Sequence, residues 1–172
     1  MGSVRRKKDM RFLLLAAVSV VVALSAAASP AADTHLLGAP GLRVVAPPSW
    51  HLAHERLSDC WSPKQVLAVT DVSGRFGLHA KLPRERALLL LLEDDGYAGA
   101  NFPPRKRFSV PQRLDTMGGC CEMPFSRGFE LTFHDHGRNL YAFVYAADRP
   151  TAGRALAVLN TLRVRPLSSG LR

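Results

Sequence analysis

Between Gly128 and Ala146 the chain reads GFELTFHDHGRNLYAFVYA, and no other stretch constrains the fold as much. Phe129, Leu131 and Phe133 alternate with Glu130, Thr132 and His134. Successive side chains of a strand point to opposite faces, so the alternation predicts a strand with one apolar face. Asp135–Arg138 supplies a turn. The strand that returns sets Leu140, Ala142 and Val144 against Tyr141, Phe143 and Tyr145. Being apolar on both sides, it is expected at a central position covered on both faces. Next, TAGRALAVLNTL (151–162) places Ala155, Val158, Leu159 and Leu162 at i, i+3, i+4 and i+7, the stripe of an amphipathic helix. Asp148 or Thr151 can cap it, and RVRP closes the pattern as a short strand.

Shorter apolar runs precede this unit. LRVVAP (42–47) reads as a strand stopped by Pro47 and Pro48, and SWHLAHERL (49–57) restarts with Trp50 and Leu52 on one face. QVLAVTDV (65–72) is rich in valine and alanine and ends at SGRFG. RALLLLLEDDGY (86–97) could be helical by its leucines, but it is short, bounded by charges and ended by a turn, so a buried strand is expected. Pro103, Pro104 and Pro111 keep 98–119 out of helix. Several strands in series with one late helix predict an α+β domain: a mostly antiparallel sheet with a C-terminal amphipathic helix packed on it.

The N-terminus decides the compartment. MGSVRRKKDMR is strongly basic, FLLLAAVSVVVAL is apolar, and SAAASPAAD follows with small residues. This is the layout of a secretory signal peptide over residues 1–28, cleaved before Ser29, with an uncleaved membrane anchor as the alternative. The hydrophobic residues expected behind a twin-arginine pair are replaced by Lys7, Lys8 and Asp9, which favours the general secretory route. Translation starting at Met10 would also give a compact leader. Residues 29–40 then read as a linker, 41–167 as one globular domain and 168–172 as a tail. Residues 1–28 hold five of the 23 Lys+Arg and one of the 14 Asp+Glu, so the formal +9 falls to +5 for the remainder. That charge speaks to solubility more than to a partner.

Three cysteines remain, Cys60, Cys120 and Cys121. Outside the cell they can oxidise. Adjacent Cα atoms stand about 3.8 Å apart, below the roughly 4.4–6.8 Å of a disulfide, so Cys120 and Cys121 are poorly placed to pair with each other. Cys60 with one of them is the expected bridge, and on chain-entropy grounds it would contribute about 4 kcal/mol. One thiol is left over. No C-x-x-C spacing points to redox or zinc chemistry.

Other constellations carry weaker chemistry. His134 and His136 would share a face in extended chain, but a zinc site needs a third ligand, so a polar turn is the plainer reading. His51 and His54, three apart, are expected on opposite faces. Glu93, Asp94 and Asp95 can divide acid and base roles or simply form a solvated turn before Gly96. Trp50 and Trp61 suit a ligand cleft or a core. Arg105, Lys106 and Arg107 between Phe102 and Phe108 suit an anionic partner, such as lipid headgroups or a wall polymer; export argues against nucleic acid. No nucleophile motif or phosphate loop occurs.

The order PPSWH, LAV, LP…ALLLLLE, FPPR…F, FELTFHDHGRNLYAFV and ALAVLNTLRV resembles secreted or membrane-anchored proteins of high-GC Gram-positive bacteria across residues 42–166. At one further remove it is similar to PsbP-like domains. That resemblance implies a small extracytoplasmic α/β sandwich that binds or scaffolds, and it brings no catalytic residue. The expectation is a non-catalytic binding module, secreted or associated with the cell envelope, whose partner is an envelope protein or polymer. No catalytic residue, cofactor or metal is assigned. Nucleic acid is not expected, transient membrane contact is allowed, and the chain is expected to be a monomer. The rival expectation is a secreted hydrolase using the acidic or histidine cluster.

Overall fold

The computed structural model describes residues 33–59, 61–74, 81–96, 101–115, 117 and 127–166. The chain divides into residues 1–31 and 32–172, and all described residues belong to the second unit. In chain order the elements are β1 (His35–Ala39), β2 (Leu42–Ala46), β3 (His51–Leu52), β4 (Lys64–Thr70), β5 (Leu88–Asp94), β6 (Gly128–Asp135), β7 (Arg138–Tyr145), α1 (Arg149–Asn160) and β8 (Arg163–Val164). They form two antiparallel sheets, ordered β1-β2-β8 and β3-β4-β5-β7-β6, with one C-terminal helix. The fold is therefore α+β, as the pattern requires.

The β6–β7 hairpin pairs Gly128 with Tyr145 through to Asp135 with Arg138. Its two turn residues, His136 (φ 48°) and Gly137 (φ 76°), are both left-handed, the geometry that lets strands of right-handed twist meet in a tight turn. The strand covered most fully on both faces is β5, whose five leucines are all buried. β7 lies inside the sheet, but its Tyr141 and Phe143 are only partly buried.

Alternation sorts β5 between two cores. Leu89 and Leu91 join Phe133, Leu140, Ala142 and Val144 on the face covered by α1 and the small sheet. Leu88, Leu90 and Leu92 join Tyr145 on the other, where Leu57 packs over them. Gln65 holds that cover in place. Its Oε1 accepts the Leu57 N–H at 2.7 Å, and its Nε2 donates to the Glu55 carbonyl at 3.2 Å.

Two expectations need correction. Residues 29–40 are not wholly linker, because His35–Ala39 forms β1. Its pairing with β2 (His35 opposite Ala46, Ala39 opposite Leu42) supplies the order that its own sequence does not advertise. The helix also runs Arg149–Asn160 rather than 151–162. Asp148 caps it, accepting the Thr151 N–H at 2.8 Å, and Pro150 suits the first turn. At the other end the Thr161 hydroxyl accepts the Val45 N–H at 2.7 Å and donates to the Val158 carbonyl at 2.7 Å, which ends the helix against β2.

Candidate ligand-binding site

The adjoining ends of β4 and β5 lie side by side, with Lys64 opposite Glu93 in the sheet. Beyond them the chain carries Trp61 and Ser62 on one side and Asp95 on the other. The Ser62 hydroxyl donates to Asp95 Oδ1 at 2.8 Å, tying the Trp61 loop to the strand end. Above this junction opens a cavity of about 810 Å³, with Trp61, Glu55, Lys64, Glu93, Asp94 and Asp95 among its lining residues.

The two tryptophans have opposite fates. Trp50 is 2 % exposed and belongs to the core, whereas Trp61 is 91 % exposed on the cavity. An indole left in water is unusual, because large apolar surface is normally buried.

The acidic triplet also divides by role. Both Glu93 oxygens are held by Arg138, at 2.7 Å from Nε and 2.6 Å from Nη2. Asp95 accepts from Ser62. Asp94 lines the cavity yet is only 6 % exposed, and its Oδ1 has no hydrogen-bond partner among the described residues. A buried acceptor without a donor costs about 1–3 kcal/mol.

His51 and His54, expected on opposite faces, border one smaller cavity of about 480 Å³. The reason is that β3 stops at Leu52, so His54 no longer follows strand alternation. His134 and His136 do not act as a pair. His136 lies in the left-handed turn with its Nδ1 2.5 Å from Asp135 Oδ1, while His134 Nδ1 is 3.0 Å from Asn139 Oδ1. Among the described residues, no group of three or more His, Cys, Asp or Glu is arranged to hold a metal ion.

The basic triplet is split as well. Arg105 donates to Asp135 Oδ2 at 2.9 Å and to the Leu162 carbonyl at 2.6 Å, with its side chain 19 % exposed. Lys106 and Arg107 are exposed beside a cavity of about 470 Å³ that His136 and Asn160 also line. The flanking aromatics are engaged inside the protein. Phe102 meets Tyr141 edge-on at 5.0 Å, and Phe108 lies 5.2 Å from Phe133.

Cys60, Cys120, Cys121 and the N-terminal segment 1–28 lie outside the described residues. Among the described residues no helix is long and apolar enough to cross a membrane. Comparison with family models, curated proteins and solved structures finds no match.

The convergence of Trp61 with Glu93–Asp95 was not apparent from the chain order. Ser62 and Asp95 are 33 positions apart, and only the β4–β5 register brings them together. The available signal was a tryptophan beside serine and proline, outside any apolar alternation.

Proposed function

We propose that this protein is an exported, non-catalytic binding module of the cell surface that takes its ligand in the Trp61 cavity. The observation that carries the reading is the exposed indole standing over a cavity whose rim bears charged side chains. Exposed aromatics flanked by polar groups are what interfaces and ligand sites use as anchors. The basic, apolar and small-residue succession at the N-terminus supports export. The binding and scaffolding roles implied by the PsbP-like resemblance agree with it.

A hydrolase remains the rival because Glu93 and Asp95 line one cavity. The bidentate grip of Arg138 weakens it, since Glu93 has both oxygens committed. The test is co-sedimentation of the full-length protein with isolated cell envelopes, wild type against Trp61→Ala. Envelope binding that Trp61→Ala abolishes supports the proposal. Equal sedimentation of both proteins, or turnover of envelope polymer that Asp95→Asn stops, overturns it.

A further inference from the structure

We infer that the Trp61 cavity binds a neutral saccharide segment of an envelope polymer, one sugar ring lying flat against the indole. This rests on reading the protein as a binding module and names the ligand class of the same site.

Three observations select that chemistry. Trp61, 91 % exposed, offers a broad flat π-face, which suits the C–H face of a pyranose ring. The polar lining is nearly balanced in sign. Among the described residues Glu55, Asp94 and Asp95 line the cavity together with Lys64 and with Arg56, which already donates to the Ser58 carbonyl, while Glu93 is neutralised by Arg138. A cationic ligand would meet Lys64 and Arg56, and an anionic one would meet the carboxylates. Hydroxyl groups, which both donate and accept, can use both sets.

Third, Asp94 puts a nearly buried carboxylate at the cavity wall, with Oδ1 lacking a donor among the described residues. Oδ1 itself is closed to solvent, so a sugar hydroxyl donates to the part of this carboxylate that stays open to the cavity. The Ser62–Asp95 bond fixes the loop that bears the indole, so less order has to be imposed on binding. At about 810 Å³ the cavity falls in the range of small-molecule sites and has room for a short run of sugar units. A peptide would need an apolar groove or a strand edge, and among the described residues this lining has a single large aromatic.

The unequal burial of the two tryptophans makes the test selective. Iodide quenches the emission of exposed Trp61 and spares Trp50 in the core. Full-length protein is titrated with linear tetramers of N-acetylglucosamine, glucose, galactose and mannose. Protection from iodide with a blue shift is expected for at least one of them. Trp61→Ala should abolish binding, measured by calorimetry. Asp94→Asn should weaken it about tenfold, as loss of a charged hydrogen bond does. Should that variant fail to fold, Asp95→Asn at the exposed rim is expected to weaken binding in the same direction.

If every tetramer leaves iodide quenching unchanged while envelopes still bind through Trp61, the saccharide assignment falls and the binding module stands. If Trp61-dependent envelope binding is absent too, both fall. Protection of Trp61 by a lysine-rich peptide or by phosphatidylglycerol vesicles, and by no tetramer, also overturns the assignment.

Discussion

Arg138 and Glu93 meet across the β5–β7 pairing through two charged hydrogen bonds, Nε to Oε1 at 2.7 Å and Nη2 to Oε2 at 2.6 Å. The guanidinium is 3 % exposed, and its Nη1 also reaches the Pro40 carbonyl at 3.3 Å, in the turn between β1 and β2. One side chain thus joins the edge of the Trp61 cavity to the five-stranded sheet and to the small sheet. Glu93 keeps 19 % of its side chain exposed, so removing its partner costs the charged hydrogen bonds of a part-buried pair, about 1–3 kcal/mol. Arg138→Ala should lower the urea unfolding free energy by that order. Arg138→Lys should recover only part of it, because a point charge cannot reproduce the fork. A loss below about 1 kcal/mol, the scale of a surface pair, would remove Arg138 as the tie.

Glycine substitutions should rank by what surrounds them. Gly41 has φ 73°, and a Cβ there would lie 2.8 Å from Arg138 Nη1. Gly137 has φ 76° with nothing within 4 Å. Left-handed backbone costs an L-residue about 1–2 kcal/mol. Gly137→Ala should cost about that, and Gly41→Ala more, since it also disturbs the Arg138 junction. Thermal unfolding of the two variants gives the order, and equal losses would contradict the crowding at Gly41.

The hairpin and the helix were legible because each repeats a period over many residues. Phe129, Leu131 and Phe133 mark one face of β6, and Ala155, Val158 and Leu159 mark one side of α1. β5 could be recognised from its length and flanking charges, although unbroken leucine carries no period. β1 was not legible, since HLLGA lacks alternation and gains its order from β2. The site was legible only in pieces. Trp61 and the acidic triplet were each visible, but nothing local states that Lys64 stands opposite Glu93. The same holds for Arg105, whose partners Asp135 and Leu162 come from a strand 30 positions away and a segment 57 positions away.

Acid should act through identifiable carboxylates. Asp148 is held below the ordinary aspartate value, first by the hydrogen bond from the Thr151 N–H. At Asp135 burial pushes the value up, but hydrogen bonds from Arg105 and His136 and their charges outweigh it and the net direction is down. A carboxyl lowered on folding stabilises fully above its unfolded value of about 3.9. That contribution is lost as pH falls through the folded value. Glu130 runs the opposite way. Burial raises its value, so its contribution is greatest below the unfolded value and is lost as pH rises through the folded one. Urea midpoints measured from pH 7 down to pH 3 should show Asp148→Asn flattening the acid limb. Glu130→Gln should raise the midpoint at pH 7. The reverse sign at either position would contradict these assignments.

Asn160 should control the order of the basic loop. Its Oδ1 accepts the Phe108 N–H at 2.9 Å, and its Nδ2 donates to the Phe108 carbonyl at 3.1 Å, a two-point tie from the end of α1. Asn160→Ala should raise the hydrogen-exchange rate of the Phe108 amide about tenfold or more, given roughly 1 kcal/mol per bond, while the β6–β7 amides stay protected. Unchanged exchange at Phe108 would mean that its packing on Phe133 suffices to hold the loop.

The basic triplet should separate into a structural cation and two surface cations. Arg105 lies among Asp135, the Leu162 carbonyl and the ring of Phe133, 6.0 Å from its centroid. Lys106 and Arg107 are the members exposed to solvent. Arg105→Ala should therefore lower the unfolding free energy by about 1–3 kcal/mol, the cost of stripping partners from partly buried polar groups. Lys106→Glu with Arg107→Glu should leave stability nearly unchanged. The same pair should weaken binding to phosphatidylglycerol vesicles at low salt, at about 1 kcal/mol per cation near an anionic surface. That loss should shrink as ionic strength rises and the charges are screened. Vesicle sedimentation beside a urea titration reads both quantities. If the double reversal unfolds the protein, or Arg105→Ala alone removes vesicle binding without a stability loss, the division of roles is wrong.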